Sequence, residues 1–139
     1  MTWTHLHLLI NHLPLVGLLF GAAALIAALW RRSPDLQAFG LGAQAFLGLM
    51  SCVVFSTGGP AADAAADLAA QPVDDHYQAA RIAMIAATCL GTGALGALLL
   101  PKKPGTAPPW AVALVLVGTL VCLALLGWAG YLGGLLRHL

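Results

Sequence analysis

Four long apolar runs, cut by short polar clusters, organise the chain. They cover residues 6–30, 36–57, 77–100 and 110–136. Each exceeds the roughly 20 residues that a helix needs to cross a bilayer. Inside hydrocarbon a helix satisfies its own backbone donors and acceptors, so these runs predict helices rather than open strands. The separators are turn-forming or basic: RRSPD at 31–35, STGGP at 56–60 and PKKPGTAPP at 101–109. The pattern predicts an all-α, integral-membrane four-helix bundle made by one domain, residues 1–139. The first run lacks a basic leader and ends on Arg31 and Arg32, so it reads as a span rather than a cleaved signal.

The segment between the second and third runs has its own pattern. Pro60 suits the first turn of a helix, and AADAAADLAA favours helix by propensity. Pro72 then reads as its stop. A short amphipathic helix is expected in this loop, with Asp63 and Asp67 four apart on one face.

Composition agrees with the membrane reading. The 139 residues are 60% hydrophobic and 8% charged, against about 25% charged in soluble domains. Lipid is therefore an expected partner. The net charge of +1 leaves no basic patch, which excludes a nucleic-acid partner. Arg31, Arg32, Lys102 and Lys103 fall in the two loops on one side, which marks that side as cytoplasmic. Both termini and the 58–75 loop are then periplasmic, and the expected location is the bacterial inner (cytoplasmic) membrane, multi-pass. Cys52, Cys89 and Cys122 sit within apolar runs without CxxC spacing and read as packing residues. Gly17 with Gly21, and Gly130 with Gly134, form GxxxG pairs suited to close helix packing. Gln44 is placed to make an interhelical hydrogen bond.

This topology gathers every histidine at one end: His5, His7, His12, His76 and His138. Counting rise from the inner loops puts His12 and Arg81 roughly 28–30 Å up, and His5, His76 and His138 roughly 37–42 Å up. His5 and His12 are seven apart and share a helix face, while His7 points elsewhere. Below His76 runs a stripe of Ala80, Ala83, Ala87 and Ala94, and His138 lies over Gly134, Tyr131 and Gly127. Those small residues suggest room for a flat macrocycle. Imidazole is the commonest metal ligand and a haem axial ligand. No intramembrane acid offers a proton relay, and Ser51 and Ser56 have no paired base that would suggest a hydrolase.

The motifs HLLINHLPLVG, STGGPAADAAADL…DDHYQAA and YLGGLLRH resemble those of a small uncharacterised four-span bacterial membrane-protein family, a domain of unknown function. That family has Asn-His-x-Pro in its first span and a closing Gly-Gly-x-x-Arg-His. The resemblance covers nearly the whole chain. It implies a four-helix fold with outward histidines, and it matches His7, His12, His76, Arg137 and His138. The family pattern has an acid where Gly59 stands here.

The leading expectation is a b-type haem protein with one haem at the periplasmic mouth. It would carry electrons between membrane quinol and a periplasmic carrier, and bis-histidine ligation suits that task because no iron position stays open. His12 and His76 are the expected ligand pair. His5 is the reserve, His138 an alternative or supporting ligand, and Arg81 and Arg137 propionate partners. His7 is expected to be dispensable. Two alternatives stand beside this: non-haem copper or zinc binding, with the aspartates above the mouth, or a non-catalytic structural subunit. A homo-oligomer or a larger membrane complex remains open.

Overall fold

The computed structural model describes residues 2–64, 70–101 and 106–136. Among these the chain is helical: α1 (Trp3–Ile10), α2 (His12–Arg31), α3 (Pro34–Asp63), α4 (Ala70–Leu99) and α5 (Pro109–Leu135). Four stretches are long and apolar enough to span a membrane: Trp3–Arg31, Pro34–Asp63, Pro72–Leu99 and Pro109–Leu135. They correspond to the four apolar runs, so α1 and α2 are two parts of one span.

Local chemistry sets these boundaries. The Thr2 side chain caps α1 by accepting from the His5 backbone N–H. Pro14 has no N–H for the Ile10 carbonyl, and its ring crowds that carbonyl. The helix is interrupted at Asn11 as a result. Arg32 ends α2 in the left-handed region, φ 51°, and its N–H bonds the Ala28 carbonyl. Ser33 caps α3, with Pro34 in its first turn. Pro109 opens α5.

Two prolines act differently from the sequence expectation. Pro60 does not begin a separate loop helix, because α3 runs through it to Asp63. Pro72 does not end a helix; it lies in the first turn of α4, where the missing N–H has no intrahelical partner to lose. Asp67, Lys102, Lys103, Arg137 and His138 lie outside the described residues.

The spans form a ring in sequence order. α2 packs on α3, α3 on α4, α4 on α5, and α5 closes against α2, while α1 rests mainly on α3. The first and third spans are therefore diagonal. Small residues set the spacing. A Cβ on Gly48 would lie 2.7 Å from the Gly91 Cα and also overlap the Ala87 carbonyl. Gly17 packs under Leu47, and Gly21 against Gln44. Lipid offers helices no hydrophobic reason to associate, so such close backbone approach supplies much of the attraction. Gln44 is fully buried and donates from Nε2 to the Leu18 carbonyl at 3.2 Å, the interhelical bond its sequence position implied. Gln37 Nε2 donates to the Ala107 carbonyl at 3.0 Å. Gly130 and Gly134 differ from the other pair: among the described residues, no atom beyond their own helix backbone lies within 4 Å of the Cβ positions they would have.

Candidate functional site: a histidine pair at the mouth of the bundle

The start of α1, the ends of α3 and α5, and the start of α4 meet at one end of the bundle. His76 lies near the start of α4. Its Nδ1 is 2.9 Å from the Ala129 carbonyl on α5. A carbonyl only accepts, so Nδ1 carries the proton and Nε2 keeps its lone pair. Gly133 gives the ring its place, since a Cβ there would stand 2.9 Å from the His76 Cε1.

His7 is held in the same way by α3. Its Nδ1 lies 2.8 Å from the Thr57 Oγ1, and that hydroxyl donates its proton to the Val54 carbonyl at 2.7 Å. The hydroxyl therefore accepts from His7 Nδ1–H, and the Val54 backbone bonds the same ring. His7 and His76 are near enough for their charges to interact. Two diagonal spans thus supply imidazoles, and the spans between them supply the anchors. Phe55 and Tyr77 close the α3–α4 side, ring centroids 5.4 Å apart.

The other expected residues lie elsewhere. His12 and His5 do share a face, as their spacing implied, but both are exposed. His5 is engaged locally, its Nδ1 2.7 Å from the Thr2 Oγ1. Arg81 is exposed on α4. Asp74 accepts a long hydrogen bond from Gln78 at 3.5 Å. Among the described residues no three His, Cys, Asp or Glu side chains converge to hold an ion. The structure brings His76 together with His7, not with His12.

Sequence reasoning chose the wrong face of the first span as the inner one. A signal for the right one was present. His7 is in heptad phase with Pro14, Gly21 and Ala28, all buried, and the Gly17–Gly21 pair marks that side as the packed one. The room expected beside His76 is also taken. Ala83, Ala87 and Ala94 are buried, in contact with neighbouring spans rather than lining a slot.

Fixing Nδ1–H on an acceptor and presenting Nε2 is how proteins orient metal-binding imidazoles. The donor set fits an iron or copper held by two histidines. Comparison with protein-family models, with curated proteins and with solved structures finds no match.

Proposed function

We propose that the mouth is a two-histidine metal centre with His76 and His7 as ligands, and that its occupant is the iron of a b-type haem serving electron transfer. The observation that carries this reading is the pair of anchored imidazoles, each with Nδ1 on an acceptor from a neighbouring span and each from a different diagonal span. A haem held by both imidazoles would keep no iron position open and would serve electron transfer rather than oxygen chemistry. Membrane quinol and a periplasmic carrier are the donor and acceptor that such a position serves. The basic residues Arg31 and Arg32, at the end remote from the mouth, support a periplasmic mouth and periplasmic termini in a bacterial inner membrane.

A second reading is favoured by the contact between Gly133 and His76. Two imidazoles are also ligands for a copper or zinc ion. The absorption spectrum of the purified protein separates the two. A Soret band that shifts on dithionite reduction supports haem. Its absence, with copper or zinc present by metal analysis and lost on removing His7 and His76, supports the ion. A protein that takes up neither haem nor metal when supplied with them refutes both.

A further inference from the structure

Away from the mouth, α3 and α4 bring together a second set of donors. Cys52 Sγ lies 3.8 Å from Met84 Sδ and 3.1 Å from Thr88 Oγ1. Thr88 Oγ1 is in turn 3.8 Å from Met84 Sδ. The Thr88 hydroxyl donates to the Met84 carbonyl at 2.8 Å, which leaves its oxygen able to accept from the thiol. Cys52 is exposed on the lipid-facing side. We propose that Cys52, Met84 and Thr88 form a binding site for a soft monovalent cation, Cu(I), within the membrane.

Three arguments carry it. The first is donor type: thiolate and thioether are the ligands that select Cu(I) over harder ions. The second is size. A point equidistant from the three donor atoms lies about 2.1 Å from each, and metal–sulfur bonds run to about 2.3 Å. Opening the triangle by a few tenths of an ångström accommodates the ion. The third is charge. A bare thiolate or a bare cation is costly in hydrocarbon, whereas one Cu(I) on one thiolate is neutral and the other two donors add no charge. Binding exchanges the Cys52 thiol proton for the metal. One Cu(I) enters and one proton leaves to the buffer, with no change of oxidation state.

The site stands apart from the histidine pair. Cys52 is five residues from Thr57 along α3 and Met84 eight from His76 along α4, or roughly 8 and 12 Å by helix rise. The proposal therefore does not depend on what occupies the mouth.

The test is anaerobic titration of the full chain in detergent with Cu(I), in competition with bathocuproine disulfonate. The wild type should withdraw one Cu(I) that the His7→Ala/His76→Ala double variant also withdraws. Cys52→Ala and Met84→Leu, each added to that double variant, should lose it. X-ray absorption of the copper-loaded double variant should show sulfur neighbours. Three results overturn the proposal: no Cu(I) taken from the chelator by the double variant, a coordination shell without sulfur, or Cu(I) retained when Cys52→Ala is added to the double variant. A plain packing contact between the helices gives the first or third of these.

Discussion

One hydrogen bond to a main-chain carbonyl decides what His76 can do. With Nδ1–H committed to Ala129, the ring offers a single lone pair in a fixed direction, as a ligand must. His76→Ala should abolish the bound chromophore or metal, measured by absorption and metal content. His7→Ala should do the same, while His12→Ala and His5→Ala, on the exposed face, should leave it unchanged. Thr57→Val is subtler. It keeps the volume but takes the Thr57 hydroxyl from the half-buried His7 ring, at a cost of about 0.5–1.5 kcal/mol for one hydrogen bond. That variant should retain both ligands and bind more weakly, read by titration with the occupant identified from the spectrum. The sequence singles out His76 because it heads a span and its helix face continues through alanines. It does not single out His7, because helical arithmetic says which residues share a face, not which face turns inward. Thr57 and Ala129 were hidden for another reason. An anchor on a distant span, one of them a main-chain atom, leaves no mark near the histidine it holds.

At the scale of elements, glycine position rather than glycine number matters. Gly48 and Gly91 let α3 and α4 touch backbone to backbone. Gly48→Ala should cost about 1–3 kcal/mol through overpacking, seen as a lower unfolding temperature in detergent. Gly130→Ala, with no described atom beyond its own helix backbone within 4 Å of the new methyl, should unfold where the wild type does or slightly higher. Arg32 holds a left-handed conformation that costs an L-residue roughly 1–2 kcal/mol, so Arg32→Gly should recover part of that in the same measurement. The four spans were legible because length and apolarity announce a membrane helix before any packing is known. The proline-marked edges were not. Proline is common both just inside a helix start and just beyond a helix end, so Pro72 reads either way. Pro60 sits in the last turns of α3, where losing its bond to the Ser56 carbonyl does not stop a helix that has only three further residues to run.

Among the described residues, the start of α1 and the end of α5 lie at the same end of the bundle as the histidine pair. Cysteines introduced at Thr4 and Gly59 should react with a membrane-impermeant maleimide added to the periplasmic side, and one at Arg31 should not. Reversed labelling would place the mouth in the cytoplasm and remove the case for a periplasmic electron acceptor. The four spans each give the mouth one group: His7, Thr57, His76 and, last along the chain, the Ala129 carbonyl. Synthesis delivers both imidazoles well before it delivers the atom that orients the second one. A chain stopped before Pro109 should therefore reach the membrane with both ligands and still take up nothing, and occupancy of the mouth becomes a report that the final span has been inserted and docked, a check on completed assembly made by the site itself.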